Sequence, residues 1–381
     1  MIRVANVIED ARLCGPQIRI ANVACAMRKQ IHTTVIMPRV DSERFREKLD
    51  SCNINYKMFK LSRITKDFRV ALRYVFLSSV ELFHLVRYLK HKNFDIVHVS
   101  GGSWQYKGAI AGRLAGIKVI WHLNDTYVPS FFRRLFATMA GLADIYVFAS
   151  EKSKLYYAPL ISRNKPQIVI PAPVDPSHFS PDNLCSGEVF TNQKWAGKTI
   201  VGIVGNINRI KGIDTFIRAA SEVAKKNQNV HFIVVGAVFD SQNEYYKRLE
   251  KLVSDLNLVD ISFVGGQDDI RPWLNLFDIY VCSSVAESSP ISVWEAMSMA
   301  KPIVSTNVGD VPLYIKNGVS GDIVDVGNYH EMANKINDLI ASHSKRVEYG
   351  NLAREEVKNR LSLEFCVEKH INVYKMAINQ N

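Results

Sequence analysis

What most constrains this chain is an alternation of short apolar runs with helical segments that occurs twice. Ile2 to Ile8, Ile31 to Met37, Phe94 to Val99, Ile117 to Leu123, Ile145 to Ala149 and Ile168 to Pro171 are runs of strand type, with helical segments between most of them. After the proline-dense stretch Pro171 to Pro181 the pattern restarts with Thr199 to Val204, His231 to Val235, Ile261 to Val264, Ile279 to Cys282, Pro302 to Ser305 and Asp322 to Val324. Strands that alternate with helices form mostly parallel, doubly wound sheets, here two of them. A length of 381 residues also exceeds one ordinary core. In such sheets ligands lie beyond the carboxyl ends of the strands, so the residues just after each strand are the ones to inspect.

Composition narrows the partners. With 47% hydrophobic and 22% charged residues the chain is globular. No run of eighteen apolar residues occurs and Met1 to Asp10 reads as a strand with an acidic end, so a cytoplasmic protein is expected. Cys14, Cys25, Cys52, Cys185, Cys282 and Cys366 are scattered without a C-x-x-C pair, which argues for reduced thiols and against a zinc site. A net charge of +11 implies an anionic partner. Much of it falls between Lys57 and Lys92, where Lys57, Lys60, Arg63, Lys66, Arg69, Arg73, Arg87, Lys90 and Lys92 face only Asp67 and Glu81 and are interleaved with Phe68, Val70, Leu72, Tyr74, Val75, Phe76, Leu77, Phe83 and Leu85. Such a basic, aromatic-rich helical segment reads as a surface that settles on an anionic membrane, the alternative being an ordinary core with a solvated basic face. Phe131 to Phe136 repeats the composition on a smaller scale. No RNA-binding motif accompanies the charge, so nucleic acid is not expected.

Five places carry candidate chemistry. Glu287 to Glu295 places Ser289 as a cap and Pro290 at the first position of a helix running to about Ala300. The amides of Ile291, Ser292 and Val293 would then form an anion site. Glu295 has no Lys or Arg three or four residues away, so its carboxylate would need another partner, such as ligand hydroxyls. Gly205 to Gly212 follows a strand and brackets Arg209 and Lys211 just before a helix, where cations and free amides would hold phosphate oxygens. It is neither a Walker A loop nor a dinucleotide fingerprint, and the chain has no Asp-x-Asp. In the first half, Cys14-Gly15-Pro16 follows the first strand, and His122 and Asp125 fall at a strand's carboxyl end; Ser100 to Ser103 is a further loop of the same kind. Taken singly, each has a plain alternative: a tight turn at Gly15, a satisfied structural histidine at His122, and solvated charges at Arg209, Lys211, Glu287 and Glu295.

In combination these motifs resemble the retaining glycosyltransferases of family 4. The likeness covers nearly the whole chain and is most specific in Glu287 and Glu295 with seven residues between them, Ala296-Met297, Lys301 to Thr306 and Val308 to Pro312. The Gly205 to Gly212 loop, Val169-Ile170-Pro171 with Val174-Asp175 and Phe179-Ser180-Pro181, and Ser362 to Ala377 match in order. The resemblance implies the GT-B fold: two Rossmann-like domains facing a cleft, an acceptor-binding domain at 1–180, a nucleotide-sugar-binding domain at 190–361, and a helix at 362–381 that packs back on the first domain. It implies that Arg209 and Lys211 bind and stabilise the departing diphosphate, that Glu295 binds ribose hydroxyls, and that Glu287 lies against the transferred sugar. His122 would face the sugar, Gly15 would belong to the glycine loop, and Ile270 would end the segment Gly265 to Ile270 beside the base. Gly205, Ser289, Pro290, Ile291 and Ser292 would line the donor site. Departures are Cys14-Gly15-Pro16 where paired glycines are usual, Ser288-Ser289 where a Phe-Gly or Gly-Phe pair is usual, and Asp310 after Gly309.

The expectation is a metal-independent, cofactor-free enzyme, peripheral on the cytosolic membrane face. It would move a sugar, favoured as a UDP-sugar, to a lipid-linked or polysaccharide-precursor acceptor. A non-catalytic nucleotide-sugar-binding subunit and a sugar-nucleotide epimerase or hydrolase on the same fold are the alternatives.

Overall fold

The computed structural model describes residues 1–62, 68–126, 128–183 and 195–379. Arg63, Lys66, Asp67 and Cys185, and the side chains of Phe68, Arg69, Val70, Leu72, Arg73, Val75 and Phe76, lie outside the described residues. The chain divides into two compact units, one of Met1–Pro173 with Leu363–Asn381 and one of Val174–Ser362. Val174–Pro181 thus goes with the second unit, where Phe179 packs on the core and its carbonyl accepts from Ser298 Oγ at 2.7 Å.

Unit 1 is a parallel sheet of β1 (Ile2–Val7), β2 (Ile31–Pro38), β3 (Asn55–Phe59), β4 (Ile96–Val99), β5 (Lys118–Leu123), β6 (Ile145–Phe148) and β7 (Gln167–Val169), in the order β3-β2-β1-β4-β5-β6-β7. Both faces are covered, which is why the central strands read as mostly apolar runs. Val4, Ile96, Ile120 and Ile145 pack under the helices Gly15–Met27 and Leu363–Asn379. Their strand neighbours Ala5, Val97, Val119 and Tyr146 pack on the other face, under Phe68–Lys92 and Tyr106–Ala115. This is the period-2 alternation of a strand buried on two sides.

Lys57 corrects the sequence reading. It lies in β3 and not in a helix, since Asn55–Phe59 pairs with β2 from Thr34↔Asn55 to Pro38↔Phe59. The long helix begins only at Phe68. As an edge strand β3 is half-exposed and carries no continuous apolar run, so its signal merges with the basic segment that follows.

Unit 2 repeats the plan with β8 (Thr199–Val204), β9 (Val230–Val235), β10 (Ile261–Phe263), β11 (Ile279–Cys282), β12 (Ile303–Thr306) and β13 (Asp322–Val324), all parallel, in the order β10-β9-β8-β11-β12-β13. Val201 and Ile203 pack with the helix Ile213–Lys226, whereas Ile200 and Val204 pack with Ile291–Ser298 and His343–Arg360. In each unit the strand order turns about the first strand, β1 or β8, and the crevice beyond such a switch point is where ligands bind. Among the described residues no helix is long and apolar enough to cross a membrane.

Candidate active site

Three loops of unit 2 converge beyond β8, β11 and β12. After β8, Asn208 Oδ1 accepts from the amides of Ile210 (2.9 Å) and Lys211 (3.2 Å), which folds Arg209–Lys211 into a tight helical turn. Gly212 ends that turn at φ +58°, and a Cβ there would stand 2.1 Å from the Ser283 carbonyl. Only glycine permits both the left-handed backbone and the approach to the β11 loop. The Val285 amide donates to the Ile210 carbonyl at 2.7 Å and Ser283 Oγ to the Lys211 carbonyl at 3.0 Å, so the two loops are tied. Gly309 does the same from the β12 side, at φ +53° with its missing Cβ 2.3 Å from the Ser288 carbonyl.

On this frame Lys211 Nζ donates to Glu287 Oε1 at 2.7 Å, and Ser284 Oγ donates to the same oxygen at 2.9 Å. The pair is partly open, with side-chain exposures of 23% for Lys211 and 15% for Glu287. Burial pulls the Lys211 ammonium down, but the adjoining Glu287 carboxylate outweighs it, and the net shift is upward. The Glu295 carboxylate, one turn into the following helix, accepts no hydrogen bond from a side chain or amide among the described residues. Burial pushes its carboxyl up to about 7 against the pull of Lys211. Arg209 is exposed, its guanidinium carbon 5.7 Å from the centroid of the Tyr245 ring. The arrangement therefore holds a paired cation, an exposed one, and two carboxylates of different character.

The helix start differs from the sequence reading. Helix Ile291–Ser298 has Pro290 at the N-cap, in extended conformation, and no side chain caps it. The Ser289 hydroxyl instead accepts from Trp294 Nε1 at 3.1 Å. Val293 donates to the Pro290 carbonyl at 3.0 Å, so the amides of Ile291 and Ser292 are those the helix itself does not use. Gly236, overlooked in the sequence, is required by close packing: a Cβ there would meet the Gly205 carbonyl at 1.9 Å. Its amide donates to the Gly265 carbonyl at 2.9 Å, and Ile270 caps the next helix, Arg271–Leu276, while packing on the core.

Unit 1 treats its polar residues differently. Gly15 opens helix Gly15–Met27 without positive φ, so backbone conformation does not require glycine there. His122 is fully buried, its Nε2 against Arg19 Nη1 and its Nδ1 3.2 Å from His98 Nε2. Burial, with Arg19 next to them, holds both imidazoles well below the usual histidine range, hence neutral. Asp125 accepts from Tyr157 (2.5 Å), Trp104 Nε1 (3.0 Å) and Ser103 (3.3 Å); a Cβ on Gly102 would strike its carboxylate at 2.8 Å. The two loops flagged in the sequence thus meet, as a closed network. Beyond β1, Glu9 accepts from Tyr74 (2.9 Å) and the Lys107 amide (2.8 Å), while Lys107 Nζ pairs with Glu81 at 2.5 Å. Burial pushes the Glu9 carboxyl up to about 7, opposed by Lys107 and Tyr74.

Comparison with known proteins agrees with this frame. The family described as Glycosyltransferase Family 4 matches residues 14–178 and that described as Glycosyl transferases group 1 matches residues 188–356. Spore coat protein SA of Bacillus subtilis is 30% identical over 186 residues, 47% of this chain and 49% of that protein. The chain spans about half the length or less of the first curated relatives it matches. The Campylobacter jejuni N,N'-diacetylbacillosaminyl-diphospho-undecaprenol alpha-1,3-N-acetylgalactosaminyltransferase is 23% identical over 90% of this chain and 91% of its own. Among solved structures, Anabaena HepE in complex with UDP and glucose superposes with a TM-score of 0.86 at 18% identity, covering 99% of this chain and 100% of that one, which shows a shared GT-B fold. With two family matches in order along two parallel-sheet units, the chain belongs to the group 1 glycosyltransferases of family 4.

Proposed function

We propose that this chain transfers a sugar, with retention, from a nucleotide diphosphate sugar, UDP-linked by preference, to a lipid-linked or polysaccharide-precursor acceptor. The observation that carries the reading is the Lys211–Glu287 pair, held open on three tied loops beside a Glu295 carboxylate that no donor among the described residues satisfies. Lys211 and Arg209 meet the diphosphate, Glu295 accepts from ribose hydroxyls, and Glu287 with the amides of Ile291 and Ser292 addresses the sugar. The Gly205 backbone and the Gly265 to Ile270 segment border the nucleotide. In the reaction the bond from the anomeric carbon to the diphosphate breaks, and its electron pair goes to the leaving phosphate oxygen. The acceptor hydroxyl forms the new bond on the same face, and its proton passes to that oxygen. Fixed positive charge at the leaving group lowers the barrier without a metal in this reading.

The acceptor and the membrane surface belong to unit 1 in this reading. An open groove of about 1680 Å³ between β3 and helix Phe68–Lys92 is rimmed by Arg39, Lys57, Lys60, Arg87 and Lys90 beside exposed Val80 and Phe83. Among the described residues none of these five cations has an ion-pair partner. Unpaired basic charge next to exposed apolar side chains suits an anionic membrane surface on the cytosolic side.

Thermal shift with UDP, GDP, ADP and their sugar conjugates tests the donor half, because a ligand of the folded state raises its melting temperature. One nucleotide series is expected to stabilise the protein, and Glu295→Ala to abolish the shift. Stabilisation by none of them would overturn the reading.

A further inference from the structure

We infer that Arg19 is a positioning residue of unit 1: through a directed hydrogen-bond chain, Arg19–His122–His98–Tyr374, it fixes the orientation of His122 and of the Asn124–Asp125 segment beyond β5. The kinetic part of this inference rests on the transfer activity proposed above; the structural part does not.

The direction of the chain follows from donor and acceptor chemistry alone. A guanidinium donates and cannot accept. Arg19 Nη1 contacts His122 Nε2, so that nitrogen carries the lone pair, and the ring proton of neutral His122 sits on Nδ1. His122 Nδ1 then donates to His98 Nε2 at 3.2 Å. His98, also neutral, carries its proton on Nδ1 and donates to the Tyr374 hydroxyl at 2.8 Å. The same Nη1 donates to Asn124 Oδ1 at 2.9 Å, which fixes the amide the same way and leaves Asn124 Nδ2 as a buried donor with no acceptor among the described residues. Three imidazoles stack in this interior, His98 and His122 with centroids 5.4 Å apart and His370 5.9 Å from each.

Arg19 itself is 5% exposed and, among the described residues, has no carboxylate partner. A buried cation in that situation depends on neutral acceptors held in place, so His122 and Asn124 hold Arg19 as firmly as it holds them. The chain links the first helix, the ends of β4 and β5, and helix Leu363–Asn379, which carries Tyr374 and His370. His122, which the sequence placed against the sugar, thus acts from behind the loop, and Asn124 Nδ2 is the group left for a ligand oxygen.

The test uses full-length protein labelled with 15N at histidine, read by long-range imidazole NMR, with acceptor kinetics alongside. Wild type is expected to show His122 and His98 neutral and protonated on Nδ1. Arg19→Lys keeps that pattern, and Arg19→Met loses it. Arg19→Met is also expected to lower kcat/KM for acceptor by about tenfold to a hundredfold, the scale of a small misplacement at a reacting centre, with the donor thermal shift unchanged. Should Arg19→Met not fold, Tyr374→Phe removes the acceptor of the His98 proton and is expected to move the His98 signals while the melt stays cooperative. His122 protonated on Nε2 in wild type, His98 signals unmoved in Tyr374→Phe, or a folded Arg19→Met with wild-type His122 signals and kinetics would each overturn the inference. Intact tautomer order in a wild-type protein that transfers no sugar would sink the proposed activity and leave the positioning chain standing.

Discussion

Both units place a lysine–glutamate pair near the carboxyl end of the first strand of their sheet, and the two pairs are built to opposite ends. Lys107 and Glu81 in unit 1 are 2.5 Å apart with exposures of 1% and 9%; Lys211 and Glu287 in unit 2 are 2.7 Å apart with exposures of 23% and 15%. The sealed pair has every neighbour it needs. Lys107 Nζ also donates to the Ser62 carbonyl (2.6 Å) and hydroxyl (2.8 Å) and lies 3.7 Å from the centroid of the Tyr74 ring. The open pair also takes a hydrogen bond from Ser284 and keeps a face toward solvent. A lysine that a ligand is to use must be charged and oriented yet still reachable, and only Lys211 meets all three conditions.

Substituting each lysine should therefore give crossed effects, the largest expected in this molecule. Lys211→Met is expected to lower turnover by about a hundredfold or more, the scale of one preorganised charge at a developing anion, with little change in chemical denaturation. Lys107→Met leaves Glu81 buried without its cation, which costs about 3–5 kcal/mol when a buried pair loses one partner. Its folded fraction should retain near-wild-type specific activity. If Lys107→Met removed activity at full stability, or Lys211→Met unfolded the protein, the contrast between sealed and open pairs would be wrong.

The carboxylates sharpen the same contrast through pH. Glu9 and Glu295 both have carboxyls raised to about 7, in each case chiefly by burial. For a carboxyl whose folded value is raised, the protonated form is favoured in the folded state. Its stabilising contribution is thus complete below the ordinary carboxylate range, about 4.3, and is lost as pH rises through about 7. Both Glu9→Gln and Glu295→Gln should flatten stability between about pH 5 and 8, the range in which these groups titrate. Only Glu295 should also affect ligand. Ribose hydroxyls hydrogen-bond best to an ionised carboxylate, so nucleotide affinity should rise between pH 6 and pH 8 in wild type and in Glu9→Gln. Titration calorimetry showing the same slope in Glu295→Gln would remove Glu295 from the donor site.

Which parts of this could be read in the sequence follows from how local their signals are. The central strands were legible because burial on both faces writes them as apolar runs, as in Ile200 to Val204. Edge strand β3 was not, because Lys57 and Tyr56 on a half-exposed edge leave no such run. The Glu287 to Glu295 and Gly205 to Gly212 motifs were legible because each lies within one loop and one helix start. Even so, the cap fell at Pro290 because the Ser289 hydroxyl is engaged by Trp294. The Arg19 chain was invisible: its hydrogen bonds join residues 103 and 276 positions apart, and no local pattern marks such partners. Gly236 was likewise hidden, since what requires glycine there is a carbonyl from another loop.

Ser284 offers the smallest and most discriminating test of the open pair. Its hydroxyl donates to Glu287 Oε1, the oxygen that also accepts from Lys211, while its carbonyl accepts from Thr306 Oγ1 at 2.7 Å. The backbone of the loop is therefore held without the hydroxyl, and Ser284→Ala removes one donor from Glu287 and the weak acceptor, 3.6 Å away, of the buried Cys282 thiol. Loss of such a hydrogen bond costs about 1 kcal/mol, so turnover should fall only several-fold. The informative quantity is the coupling: in a double-mutant cycle with Glu287→Gln, Ser284→Ala should have almost no effect once the carboxylate is gone. An undiminished effect in the Glu287→Gln background would mean that Ser284 acts on the substrate directly, and that Lys211 alone orients Glu287.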